Sequence, residues 1–70
     1  MELEWIPVDS ERITQYAYDD STGVIYVIFT DGVMWGYFDC GPELWEQFQL
    51  AQSKGRFIRD FLDKQRHGPV

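Results

Sequence analysis

The sequence has little of what disulfide scaffolds, membrane spans and catalytic sites are built from. Its 70 residues include one cysteine, Cys40, and one histidine, His67, which cannot provide a disulfide pair or a closed zinc site. No run of about 18 apolar residues is present, so no transmembrane helix is predicted. Glu2 and Glu4 stand where a signal peptide would carry positive charge. We therefore expect one small domain in a reducing compartment, the cytoplasm.

Basic residues are also few, with 6 Lys and Arg against 12 Asp and Glu, for a net charge of −6. The charges are unevenly distributed along the chain. Residues 1–46 hold 10 acids and 1 base, whereas residues 47–70 hold 5 bases and 2 acids. A uniformly basic nucleic-acid binder is excluded, because phosphate binding depends on Lys and Arg. Aromatic residues are abundant, at 17% of the chain. In a small domain without disulfides, most of them are expected in the core.

The first half of the chain predicts three strands. Arg12–Tyr18 is rich in β-branched and aromatic residues, and residues 19–23 form a turn cluster. Val24–Thr30 is apolar on both faces, which is typical of a central strand. Asp31-Gly32 is a hairpin signal, and it leads into a third strand over Val33–Phe38. Two short turns in succession predict an antiparallel meander.

The second half predicts two helices. Gly41-Pro42 opens the first helix, because proline suits the first helical position. Apolar residues then recur at helical spacing, and Gly55 is expected to end the helix or bend the chain. Residues 57–62 repeat the helical pattern. The fold class is therefore α+β, with a three-stranded antiparallel meander followed by two short helices packed on one face. A single domain is expected over residues 1–70, with a core of about 5–64 and a flexible tail over 65–70.

The order of these elements and their motifs resembles the KTSC domain. The resemblance covers about residues 8 to 62, and the matching residues are Tyr18-Asp19, Ile25, Val27, Phe29, Gly32, Trp35-Gly36-Tyr37, Pro42, Ala51, Ser53, Gly55 and Phe57. Gly41 stands where the family usually has Val, and Trp35 replaces the first Tyr of a Tyr-x-Tyr motif. KTSC domains occur at the C-terminus of some lysyl-tRNA synthetases and as small stand-alone bacterial and phage-type proteins. That context implies RNA binding by association, while the role of the family is not established.

No catalytic, metal or cofactor site is predicted, and we expect a protein that is not an enzyme. Cys40 precedes a helix start, where a thiolate would be stabilised, but His67 belongs to the expected flexible tail. A nucleophilic pair would need the two side chains in hydrogen-bond reach. The acidic pair Asp19-Asp20 lacks the spacing and the distal Glu of a calcium loop.

The preferred function is a small interaction module, an adaptor or inhibitor, that binds a protein partner. An acidic face would dock on a basic surface, with aromatic anchors holding the complex. Self-association is a further form of this hypothesis, and no membrane partner is expected. The candidate protein-binding residues are Trp5, Tyr16, Tyr18, Tyr26, Trp45, Asp19 and Asp20.

RNA binding is the alternative hypothesis. The basic residues of the second half would contact phosphates, while exposed aromatic rings would stack on unpaired bases. The acidic first half opposes this function, because its field repels RNA unless it points away. The candidate RNA-binding residues are Lys54, Arg56, Arg59, Lys64 and Arg66.

Overall fold

Five antiparallel strands form one sheet in which the spatial order follows the sequence order. The computed structural model describes residues 3–70. The bounds of its elements are β1 Ile6–Pro7, β2 Ile13–Asp19, β3 Val24–Phe29, β4 Met34–Tyr37, α1 Pro42–Leu50, α2 Lys54–Asp60, a 3-10 turn Leu62–Lys64, and β5 His67–Pro69. The predicted α+β class and the central position of β3 are confirmed. No helix within the described part of the chain is long and apolar enough to cross a membrane.

The prediction of three strands was wrong, because two short strands extend the sheet at its edges. β1 pairs with β2 over two residues, and β5 pairs with β4, where His67 lies opposite Tyr37. Elements of two or three residues carry too little periodicity to be recognised from sequence. Residues His67–Pro69 of the expected tail form β5. Gln65 holds the chain on the sheet by donating its Nε2 to the carbonyl oxygens of Phe38 and Asp39, at 3.2 and 2.8 Å.

The two predicted turns connect the central strands. The β2–β3 turn is closed by Asp19, whose Oδ1 accepts from the backbone N and the hydroxyl of Ser21 at 3.0 and 2.6 Å. Gly23 in this turn and Gly32 in the β3–β4 turn have positive φ angles of 71° and 87°. Glycine has no Cβ, and it adopts this left-handed region without the penalty that other residues incur.

Both helices pack on one face of the sheet. The buried rings and aliphatic side chains of this face form one cluster with Phe48 of α1, Phe57 and Ile58 of α2, and Leu62. The residues that alternate with them along the strands, such as Ala17 and Tyr26, point to the opposite face and lie outside this cluster. Neither α1 nor α2 contributes to that second face, where Ala17 is buried and Tyr26 is partly buried.

The connection between the helices differs from the prediction. α1 ends at Leu50, and Gly55 lies within α2 instead of ending α1. The Ser53 hydroxyl caps α2 by accepting from Arg56 N at 3.2 Å. Lys54 reaches back, and its Nζ donates to the carbonyl oxygens of Gln49 and Ala51 at 2.8 and 2.7 Å. These bonds satisfy carbonyl groups that the end of a helix leaves unpaired.

Candidate functional site

An open cleft of about 710 Å³ lies where β3, β4 and β5 meet the start of β2 and the 3-10 turn. Four rings line it, from Phe29, Trp35, Tyr37 and His67. The Phe29 and Trp35 rings meet edge to face, with centroids 6.0 Å apart and planes at 88°. His67 lies 5.8 Å from Trp35 and stacks on Tyr37 at 5.2 Å. Every ring comes from a strand or a strand end, so the sheet itself sets their relative positions.

Charged side chains line the same cleft. Arg12 is the basic member, and the acidic members are Glu11, Asp31 and Asp63. Arg12 donates its Nη1 to the carbonyl oxygen of Gly55 at 3.1 Å, and its Nη2 lies 4.0 Å from Asp63 Oδ2. Its guanidinium carbon lies 5.5 Å from the centroid of the Phe29 ring. The cleft thus combines an aromatic lining with an excess of negative charge.

Two of the cleft rings, Tyr37 and His67, carry polar groups, and neighbouring groups determine which of their atoms holds a proton. Tyr37 is 1% exposed, and burial, with the negative charge of Asp63, raises the pKa of its hydroxyl to about 12. The hydroxyl is therefore protonated at neutral pH. The Nδ1 of His67 lies 2.7 Å from the Gln65 carbonyl oxygen, which can only accept. In the neutral ring Nδ1 carries the proton, and Nε2 is left as an acceptor.

The thiol of Cys40 lies outside this cleft and is 1% exposed. Its Sγ donates to the carbonyl oxygen of Tyr37 at 3.3 Å, and burial raises the pKa of the thiol. A raised pKa lowers the fraction of thiolate, which is the reactive form. Within residues 3–70, no group of three or more His, Cys, Asp and Glu side chains is arranged to hold a metal ion.

Three of the predicted protein-binding aromatics pack on one another between β2 and α1. Trp45 stacks on Tyr18 with centroids 5.0 Å apart and planes at 12°, and it meets Tyr16 edge-on at 5.6 Å. Tyr16 is buried, and the Tyr18 hydroxyl donates to the carbonyl oxygen of Cys40 at 2.8 Å. These contacts make the three rings part of the fold, and none of them lines the cleft.

The other predicted protein-binding residues are dispersed. Asp19 is 8% exposed and closes a turn, where hydrogen bonds from Ser21 lower the pKa of its carboxyl. Asp20 is exposed beside it. Tyr26 is partly buried on the face of the sheet opposite the helices, and Trp5 is partly buried just before β1. The structure therefore does not unite the predicted set into one surface.

The predicted RNA-binding residues do not form one free basic face either. Lys54 is bonded to the end of α1, as described above. Arg59 Nε lies 3.0 Å from Asp60 Oδ1, and Arg66 Nε lies 3.8 Å from Asp39 Oδ2. Two bases of the set, Arg56 and Lys64, are exposed without such a pair among the described residues.

The family-motif residues have distinct structural positions. Trp35 and Tyr37 line the cleft, Pro42 begins α1, and Ser53 caps α2. Gly55 lies against Arg12 and gives it room. The motif thus combines residues that line the cleft with residues that place neighbouring elements.

Sequence reasoning missed Arg12, Asp63 and His67 as members of one site. Arg12 and Asp63 come from opposite ends of the chain, and His67 was assigned to a flexible tail. The signal that the sequence did contain was the alternation of Trp35 and Tyr37, which places both rings on one face of a strand. No comparable local pattern marks the charged members.

Comparisons with known proteins agree with this architecture. The KTSC domain family matches residues 9–65 of the chain. A curated protein from Tsukamurella paurometabola is 33% identical over 56 residues, which cover 80% of this chain and 84% of that protein. The crystal structure of a KTSC domain protein from Yersinia pestis superposes with a TM-score of 0.91 at 24% identity, and the match covers 99% of each chain.

Proposed function

The chain belongs to the KTSC domain family, and we propose that it is a non-enzymatic interaction module that binds a basic segment of a protein partner. The observation that carries this proposal is the cleft, in which aromatic rings from three strands share their space with three carboxylates and one guanidinium. Aromatic side chains supply much of the binding energy of protein interfaces. Surplus negative charge attracts basic chains and repels acidic ones.

The charge of the whole chain supports the same choice. Residues 1–46, which hold 10 acids and 1 base, supply β1 to β4 and the start of α1. Their field accelerates the approach of a positively charged partner and slows that of a polyanion. The single thiol, Cys40, is buried and unpaired, which suits a module that works in the cytoplasm, as we also propose.

The test is a binding experiment with ligands of opposite charge. The purified, nitrogen-15-labelled chain is titrated with a Lys- and Arg-rich peptide, with an acidic peptide of equal length, and with single-stranded poly-uridine RNA. We expect the basic peptide alone to shift the amide signals of the cleft strands, with an affinity that falls as salt is raised. Failure of every basic peptide to bind at low salt would overturn the proposal.

RNA binding is the second candidate function, and one observation favours it. Phe61 is 50% exposed and borders a groove of about 330 Å³ together with Arg56 and Ser53. An exposed ring beside a guanidinium can stack on an unpaired base while the charge contacts phosphate. If this function is present, poly-uridine binding is salt-sensitive and is weakened by Arg56→Ala and by Phe61→Ala, whereas Glu11→Gln leaves it intact.

Self-association is a third form of partner binding, and the face of the sheet on which Tyr26 is partly exposed is the surface it would use. Sedimentation velocity across a range of protein concentrations tests it directly. A monomer at the highest concentration removes this version and leaves the proposal of a separate protein partner in place.

A further inference from the structure

The cleft also indicates which part of a partner it would hold. Resting on the proposed function, we propose that it receives the protonated side chain of a lysine or arginine, which packs on Trp35 while Glu11 and Asp31 balance its charge. The ligand class is therefore a cationic side chain with an apolar stem. Three features of the cleft support this ligand class: the geometry of its rings, the cationic side chain of Arg12 that it already holds, and its two carboxylates without a basic partner.

The ring geometry suits a cation with an apolar stem. Phe29 and Trp35 meet edge to face at 88°, so two nearly perpendicular rings line the cleft. His67 lies beside Trp35 with its plane at 34° to the indole. A lysine or arginine stem buries its methylene groups on such surfaces, and its charged end is attracted to the ring faces. Tryptophan is the ring that attracts cations most strongly.

Arg12 already occupies part of the cleft in this manner. Its guanidinium lies over the Phe29 ring at 5.5 Å and 4.0 Å from the Asp63 carboxylate. The chain thus places one of its own cationic side chains between an aromatic face and an acid. An incoming cation at Trp35 would repeat this arrangement on β4, the strand next to the one that carries Phe29.

The remaining charge favours a second cation. Asp63 faces Arg12, whereas the carboxylates of Glu11 and Asp31 have no Lys or Arg nitrogen within 4 Å among residues 3–70. Asp31 uses its Oδ1 to accept from Val33 N at 2.9 Å, so its side chain is held in place by the turn. A phosphate or a carboxylate would instead be repelled by all three acids. The volume of about 710 Å³ falls within the range of about 300–1,000 Å³ that is usual for ligand sites.

The experiment uses the full labelled chain and a pair of matched peptides. One peptide carries a single arginine in a Gly-Ser background, and the other carries citrulline, which has nearly the same shape and no charge. The readout is the indole N–H signal of Trp35, identified by its loss in Trp35→Phe. We expect the arginine peptide to shift this signal, with citrulline binding at least about 5-fold more weakly.

Two double variants separate the cleft from general charge. Glu11→Gln with Asp31→Asn removes two acids from the cleft, and asparagine keeps the Oδ1 acceptor of the turn. Glu4→Gln with Glu46→Gln removes two exposed acids outside the cleft, so both variants have the same net charge. We expect the cleft variant to weaken binding of the arginine peptide about 3- to 20-fold and the control variant less than 2-fold.

The outcomes distinguish this inference from the function on which it rests. If basic peptides bind but citrulline binds equally well, or if the control variant weakens binding as much as the cleft variant, the cation site is wrong and the interaction module stands. If no basic peptide binds the unaltered chain, the proposed function itself fails.

Discussion

The side chain of Arg12 lies directly against the backbone of Gly55. A Cβ built on Gly55 would stand 3.3 Å from both the Cβ and the Cδ of Arg12, and the Arg12 guanidinium donates to the Gly55 carbonyl oxygen at 3.1 Å. The two residues are 43 positions apart in sequence. The bare Cα of Gly55 therefore helps to set where the guanidinium of Arg12 enters the cleft.

A methyl group on Gly55 is expected to displace Arg12. In Gly55→Ala the new contact pushes the Arg12 stem by a few tenths of an ångström and weakens the bond of its guanidinium to the Gly55 carbonyl. The free energy of unfolding should change by less than about 1 kcal/mol, because the gain in helix propensity offsets an exposed hydrogen bond. The measurement is the Arg12 Nε–H signal by NMR, together with thermal unfolding.

Gly41→Ala is the matched control for that change. A Cβ on Gly41 meets no atom within 4 Å, so the Arg12 signal should remain where it is in the unaltered chain. Equal shifts of the Arg12 signal in the two variants would contradict the proposed contact.

The two turn glycines should respond differently to the same substitution. Gly23 and Gly32 both have positive φ angles, so alanine at either position is strained by about 1–2 kcal/mol. Only at Gly23 would the added Cβ also meet backbone, since the Cys40 carbonyl oxygen stands 3.1 Å away. Gly23→Ala should therefore lower the free energy of unfolding by more than Gly32→Ala, by about 1 kcal/mol or more. Denaturant unfolding of both variants measures the difference, and equal losses would argue against the close approach.

Tyr37 should make the fold sensitive to alkali. Burial and the charge of Asp63 raise the pKa of its hydroxyl from 10.0 to about 12, so folding favours the protonated form. This contribution is complete below pH 10 and is lost as the pH rises from 10 toward 12, by at most about 3 kcal/mol. Unfolding by denaturant at pH 8 to 11.5 should show a steeper loss of stability for the unaltered chain than for Tyr37→Phe. Parallel curves would show that Tyr37 does not titrate with the expected shift.

The Cys40 thiol should be protected in the folded chain. Burial raises its pKa, and its side chain is almost fully enclosed. At pH 8 a disulfide reagent such as DTNB should react at least about 100-fold more slowly with the native protein than with the chain in denaturant. Similar rates in the two conditions would mean that the segment around Cys40 opens readily.

The central part of the fold could be predicted because its signals are local. Apolar residues on both faces of β3 predicted a central strand. Asp31-Gly32 predicted the hairpin after it, and Pro42 predicted the start of α1. The register of a hairpin depends on the turn and on side-chain alternation, both of which are written in neighbouring residues. The prediction that Gly55 ends a helix or bends the chain was wrong. Gly55 lies within α2, because the cap at Ser53 outweighs the low helix propensity of glycine.

The candidate site could be predicted only in part. The alternation of Trp35 and Tyr37 placed both rings on one face, but the sequence did not indicate that Tyr18 and Trp45 would stack on each other as part of the fold. Separating an exposed anchor from a core ring requires knowledge of which sheet face the helices cover. That choice depends on packing between elements that are distant in sequence.

The sequence by itself determined the strand and helix periods, the turns, and the division of charge between an acidic first part and a basic second part. Only the tertiary structure decided where those charges act. It placed His67 in the sheet as part of β5, brought Arg12 to Asp63, and paired Arg66 with Asp39. Periodicity is a property of neighbours along the chain, whereas the cleft is formed by residues that meet only when the strands pair and the 3-10 turn packs beside them.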